Sequence, residues 1–165
     1  MSPLAVAAEA LLETCLKNGV TLATAESCTG GLVAAALTAI PGSSRVFERG
    51  FVTYANQAKT DMLGVPADLI ACHGAVSASV AQAMAEGALR HSPATASLAI
   101  TGVAGPDGGS ADKPVGTVHI AVARQDRLTL HERYHFAGDR DSVREQAALA
   151  AMTLLTRVLN GDRSI

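Results

Sequence analysis

Apolar positions along this chain change period several times, and each change marks an element. From Pro3 to Lys17 the residues Leu4, Ala8, Leu11, Leu12 and Cys15 share one helical face, and Asn18-Gly19 supplies the stop. Val20 to Ala25 is a compact apolar and threonine run of strand type. It feeds through Glu26-Ser-Cys-Thr-Gly-Gly31 into an alanine-rich helix ending near Ile40-Pro41-Gly42. Arg49 to Tyr54 predicts a second strand, Asn56 to Met62 a short helix, and Leu63 to Ala75 a connection punctuated by Gly64, Pro66 and Gly74. Ser77 predicts the cap of a helix that reaches about His91 before Ser92-Pro93 ends it.

Thr95 to Ile100 predicts a third strand, which runs straight into a loop carrying Gly102, Gly105, Gly108 and Gly109. Beyond that loop, Val115 to Arg124 and Leu128 to Phe136 alternate as an antiparallel hairpin around Gln125-Asp126. Ser142-Val-Arg-Glu145 matches a capping box opening a final helix that ends near Asn160-Gly161. Helices separate the early strands and the last two pair without one. The pattern therefore predicts an α/β fold, a three-layer α/β/α arrangement with a mixed sheet flanked by helices.

Composition narrows the picture. A chain of 165 residues that is 48% hydrophobic fits one domain, spanning residues 1–165, with a packed core. A formal net charge of -2 and 3% aromatic content give neither the basic field nor the stacking residues of a nucleic-acid binder, which leaves a small-molecule partner. Glu9, Glu13 and Lys17 interrupt the first apolar stretch, so neither a signal peptide nor a membrane span is expected, and the predicted location is cytoplasmic. Cys15, Cys28 and Cys72 are odd in number and widely spaced, which argues for reduced thiols. The sequence leaves a homo-oligomer open.

Several patterns carry candidate chemistry. His131-Glu-Arg-Tyr-His135 matches the HExxH form, but it lies in a run of strand character, where four residues span about 13 Å, too far for two ligands of one tetrahedral zinc. No lysine has the glycine spacing of a Walker A loop. The turn Glu26 to Gly31 offers the hydroxyls of Ser27 and Thr29 and free N–H groups beside Gly30, suited to a phosphate or carboxylate; simple N-capping by Ser27 or Thr29 is the structural alternative. The loop after the third strand brings Thr101, Gly102, Ala104 and Gly105 to a strand's carboxyl end, where open α/β sheets hold their ligands.

Pro41-Gly-Ser-Ser44, Tyr54 and Lys59 offer a nucleophile and a base. With no Ser/His/Asp arrangement in view, a serine activated by a lysine is the available route to amide attack. Lys59 then has to lose its proton well below the ordinary lysine value of about 10.4, through partial burial and cations such as Arg45 or Arg49. The spacing alone does not separate Ser43 from Ser44. Cys28 is a second candidate nucleophile, although a semi-buried thiol is its simpler reading. Arg140 and Arg144, after Gly138-Asp139, are placed to bind a phosphate or to pair with nearby carboxylates.

Ala25-Glu-Ser-Cys-Thr-Gly-Gly31, Pro41-Gly-Ser-Ser44, Gly50-Phe-Val-Thr-Tyr54, Lys59, His73-Gly-Ala-Val-Ser77, the Thr101 to Gly109 loop, Lys113-Pro-Val-Gly-Thr117 and Gly138-Asp-Arg140 together resemble the C-terminal domain of the competence/damage-inducible CinA family. The resemblance covers nearly the whole chain. It implies an amidohydrolase that converts nicotinamide mononucleotide to nicotinate mononucleotide and ammonia without metal or cofactor. It also implies a nucleophile at Ser44 acting with Lys59 and Tyr54, and a site that includes Thr101 and Arg140. Many members carry a further N-terminal domain with no counterpart in this sequence, so that domain's pyrophosphatase-type activity is not carried over. A module that senses nucleotides or binds partners in a competence or damage response, without catalysis, is the competing expectation.

Overall fold

The computed structural model describes residues 1–162, so the last three residues of the expected span 1–165 lie outside the described residues. Its elements, in order, are α1 (Pro3–Asn18), β1 (Leu22–Glu26), α2 (Leu32–Thr38), a 3-10 turn (Ser43–Arg45), β2 (Phe47–Val52), α3 (Asn56–Leu63), α4 (Ala67–His73), α5 (Ala78–Arg90), β3 (Ala96–Gly102), β4 (Thr117–Arg124), β5 (Leu130–His135) and α6 (Arg140–Leu159). The five strands form one sheet in the order β2-β1-β3-β4-β5. β2, β1 and β3 run parallel, β4 pairs antiparallel with β3 and β5 antiparallel with β4, which is the mixed sheet that the sequence predicts.

The two faces of the sheet differ in size of side chain, and this sets the layers. Leu22, Leu98, Ile100, Val118, Ile120 and Val122 point to one face, where α1, α2 and α6 cover them. Ala23, Ala25, Ala99, Ala121 and Ala123 point to the other, so α5 can lie close to the strands. Ser97 on that face donates its hydroxyl to the Ala85 carbonyl of α5 at 2.6 Å, which satisfies a polar group that is fully buried. Gly87 of α5 meets α3 so closely that a Cβ there would sit 2.1 Å from the Leu63 carbonyl oxygen.

Three local expectations change. The stretch 63–75 contains a helix, α4, because Gly64 and Gly74 are stops of α3 and α4 instead of loop punctuation. The cap of α6 is Asp139, whose carboxylate accepts the Ser142 N–H at 2.9 Å; Ser142 therefore lies inside the first turn and the expected capping box does not form. Neither Ser27 nor Thr29 caps α2; Gly31 holds that position at φ 102. No helix among the described residues is long and apolar enough to cross a membrane.

The connections decide where a site can form. From β1 the chain passes through α2 to β2 on one side, and from β2 it passes through α3, α4 and α5 to β3 on the other. At the carboxyl ends of β1 and β3 the following segments diverge, which opens a crevice at the point where the strand order reverses.

Candidate active site

Ser27 is the first residue beyond β1. Its N–H donates to the Ile100 carbonyl of β3 at 2.9 Å, and its own carbonyl accepts the Gly30 N–H at 3.1 Å. The turn that follows needs left-handed backbone at Gly30 (φ 60) and Gly31 (φ 102), which explains the paired glycines. Glu26, only 1% exposed, reaches over this turn and accepts the Val33 and Ala34 N–H groups at 2.9 and 3.1 Å. A buried carboxylate is thus stabilised by the free N–H groups at the start of α2.

Lys59 arrives from α3, opposite this turn. It is 1% exposed, and its Nζ contacts Ser27 Oγ at 3.0 Å, the Thr53 carbonyl at 2.9 Å and the Tyr54 carbonyl at 3.2 Å. No carboxylate among the described residues lies within ion-pair reach of it. Burial without a counter-ion holds the Lys59 ammonium below the ordinary lysine range, against a smaller opposing pull from the Cys28 sulfur. The two carbonyls occupy two amine hydrogens, so in the neutral amine the remaining lone pair faces the Ser27 hydroxyl.

Ser27, Lys59 and Tyr54 line a polar cleft of about 180 Å³ together with Thr101, Gly102, Ala104 and Arg140. Thr101 is buried and donates to the Ala75 carbonyl at 2.8 Å. Arg140 donates to the Gly105 carbonyl at 2.7 Å and to the Tyr54 phenol oxygen at 2.9 Å, bridging the glycine loop and the opposite lip. A larger groove of about 350 Å³ lies between β5 and α6, lined by Tyr134, Phe136 and Leu149 among others, but it holds no paired nucleophile and base.

Ser44 is absent from the cleft. It sits exposed in the 3-10 turn before β2, whereas Lys59 contacts carbonyls just after that strand. The six residues of β2 rise about 3.3 Å each, which separates the two by about 20 Å. The Ser44–Lys59 pair expected from sequence is therefore corrected to a Ser27–Lys59 contact. The cations expected to depress Lys59 are corrected too: Arg45 belongs to the distant turn, Arg49 pairs with Glu48, and burial is the dominant cause. Tyr54 touches Lys59 through its carbonyl, while its phenol is held by Arg140.

The remaining residues singled out in the sequence support the cleft from behind its wall or lie away from it, with Cys28 as the exception. Gly105 contributes the carbonyl that Arg140 grips, and Gly30 shapes the Ser27 turn. Thr29 is fully buried, its hydroxyl without a hydrogen-bond partner among the described residues. Cys28 lines the cleft, but burial pushes its thiol up to about 11, which argues against a resting thiolate nucleophile. His131 and His135 lie on a strand as expected; His131 Nε2 is 2.8 Å from His119 Nδ1, and His135 Nε2 is 3.1 Å from the Val115 carbonyl. Sequence reasoning missed Asn56, Ala75 and Val76 in the cleft wall. Their signal was positional: each follows a strand or precedes a helix at the end of the sheet where Ser27 lies.

A family model described as the CinA C-terminal domain matches residues 5–159. The chain belongs to the CinA C-terminal domain family. A CinA-like protein from Geobacter metallireducens is 57% identical over 143 residues, covering 87% of this chain and 34% of that protein. The chain thus spans about a third of the length of the curated relatives it matches, 36% and 34% for two of them. Among solved structures, the competence/damage inducible protein CihA from Agrobacterium tumefaciens superposes with a TM-score of 0.92 at 44% identity, covering 97% of each chain. A competence-damaged protein (CinA) superfamily protein from Escherichia coli superposes with a TM-score of 0.90 at 37% identity, covering 94% of this chain and 90% of that one. The CinA fold therefore extends over the whole sheet and over both segments that carry Ser27 and Lys59.

Proposed function

We propose that the protein hydrolyses the carboxamide of nicotinamide mononucleotide to give nicotinate mononucleotide and ammonia, with Ser27 as nucleophile and Lys59 as base. The observation that carries the reading is the 3.0 Å contact between Ser27 Oγ and a buried Lys59 Nζ that has no counter-ion among the described residues. A lysine in that setting holds a neutral amine at lower pH than an exposed one, and the neutral amine is what a serine needs to lose its proton.

In this scheme Ser27 Oγ attacks the carboxamide carbon while its proton passes to Lys59 Nζ. The tetrahedral intermediate collapses as the Lys59 ammonium returns a proton to the departing nitrogen, so ammonia leaves and an ester remains on Ser27. Water then attacks the ester carbon, Lys59 takes its proton, and the proton returns to Ser27 Oγ as the acid departs. The Cys28 N–H follows the nucleophile directly, lines the cleft and donates to no oxygen among the described residues, which suits it to receive the oxyanion. The cleft of about 180 Å³ fits the flat ring and its amide. The ribose phosphate extends to the mouth, where Arg140 and Tyr54 supply a guanidinium and a phenol.

The test is ammonia release by the purified chain from nicotinamide mononucleotide, its riboside and simple aliphatic amides. The proposal expects stoichiometric ammonia and acid from the mononucleotide, with lower kcat/KM for the riboside. Release of no ammonia from any of them would overturn it.

A further inference from the structure

The sequence offers Arg140 and Arg144 two tasks, a shared phosphate or pairing with nearby carboxylates, but the two side chains diverge. Arg140 turns to the mouth of the cleft, while Arg144, one helical turn further along α6, reaches beneath the Ser27 turn. Its Nε donates to the Cys28 carbonyl at 3.1 Å and one terminal nitrogen donates to the Thr29 carbonyl at 3.0 Å. No carboxylate among the described residues pairs with it. Its charge is therefore committed to two consecutive carbonyls of the segment that follows the nucleophile.

A guanidinium suits this task and an ammonium does not, because adjacent donors on one rigid planar edge can hold two acceptors at a fixed separation. The turn is short of other anchors on that side. Its other ties include the Ser27 N–H to Ile100, the Ser27 hydroxyl to Lys59, the Thr53 N–H to the Glu26 carbonyl, the Gly30 N–H to Ser27, the Leu32 N–H to Thr29, and the Glu26 carboxylate on the start of α2. Gly30, beside the Arg144 guanidinium, supplies the left-handed backbone at φ 60 that the turn requires.

We infer that Arg144 is a positioning residue for the reaction, fixing the turn so that the Ser27 hydroxyl stays aligned with Lys59. The inference rests on the Ser27–Lys59 reading above. It differs from a phosphate-binding role in its kinetic signature. A residue that aligns the nucleophile acts on kcat and is indifferent to the phosphate, whereas a phosphate ligand acts on KM and only when the phosphate is present.

The experiment compares the parent chain with Arg144→Met and Arg144→Lys. Ammonia release from nicotinamide mononucleotide and from its riboside is measured well below each melting temperature. The rate at which a fluorophosphonate labels Ser27 is measured in parallel. Misalignment of a reacting group by about 1 Å costs about a hundredfold, so Arg144→Met should lose about that factor in kcat on both substrates with KM within about threefold. Labelling should slow by a comparable factor, and Arg144→Lys, which keeps the charge but not the fork, should recover less than about a tenth of the parent rate. Parent-like kcat and labelling in a folded Arg144→Met would overturn the inference, as would a loss confined to KM for the mononucleotide. If Arg144→Met does not fold, Arg144→Lys decides in the same way. Slowed labelling in the variants of a parent that releases no ammonia would keep the positioning role and refute the proposed substrate; a parent that is neither active nor labelled refutes both.

Discussion

Replacing Lys59 by methionine keeps the apolar stem and removes the amine. The three contacts that the amine makes, to Ser27 Oγ and to the Thr53 and Tyr54 carbonyls, are worth about 1 kcal/mol each in net terms. Against them stands the desolvation of an amine buried to 1% exposure without a counter-ion, a penalty of about several kcal/mol when it is charged. Lys59→Met is therefore expected to fold and to be at least as stable as the parent at neutral pH, while losing amide hydrolysis. The sharper consequence lies in pH. Burial holds the folded-state pKa of Lys59 below its unfolded value, so its contribution is complete above the unfolded value and is lost as pH falls through the folded one. Parent stability minus variant stability should thus rise with pH, with a limiting slope of about 1.4 kcal/mol per pH unit between the folded-state value and about 10.5. Urea unfolding of both proteins at several values between about pH 7 and about pH 9.5 measures this difference, with other titrating groups cancelling between the two chains. A difference that stays flat or falls with rising pH would refute the claim that Lys59 is held toward its neutral form.

Two further outcomes follow from the geometry. Arg140→Met should raise KM for the mononucleotide about tenfold, a contact of about 1.4 kcal/mol at an exposed mouth, with a smaller effect on the riboside; equal losses on both would remove Arg140 from phosphate binding. Burial, reinforced by His131, Arg133 and Lys113, pushes His119 down to about 4. The stability it contributes is complete above its unfolded value of about 6.5 and is lost toward pH 4, up to about 3 kcal/mol. Denaturant unfolding at about pH 7 and about pH 4 should therefore show a smaller acid loss for His119→Gln than for the parent, and equal losses would contradict the assignment.

The layers of the fold were legible because periodicity and helix stops are local signals. α1 ends at Gly19 with left-handed backbone, and α5 begins where the Ser77 hydroxyl accepts the Val80 N–H. α4 was hidden because Gly64 and Gly74 read as a broken loop when taken singly, and only their spacing leaves room for two helical turns. Half of the site was legible as well: Lys59 stood out as the lysine near candidate hydroxyls. The expected partner, Ser44, rests on closeness along the chain and on the family resemblance, and closeness along the chain is a poor guide in a parallel sheet. Ser44 lies before β2 and Lys59 after it, so a whole strand intervenes. Ser27 is more distant in sequence, yet β1 and β2 lie side by side with Glu26 opposite Val52, which brings both following segments to the same edge. The residue type alone did not separate the two serines; following a strand, as against preceding one, does.

The central claim is that Ser27, and not Ser44, is the group that attacks the amide. The most direct measurement is kcat for ammonia release from nicotinamide mononucleotide by Ser27→Ala and Ser44→Ala, each shown to be folded by thermal melting. The account predicts a loss of at least about a thousandfold for Ser27→Ala, with no greater loss when it is combined with Lys59→Met, because nucleophile and base act as a unit. Ser44→Ala should stay within about threefold of the parent. A folded Ser27→Ala with near-parental turnover, or a Ser44→Ala that is dead, would contradict the account.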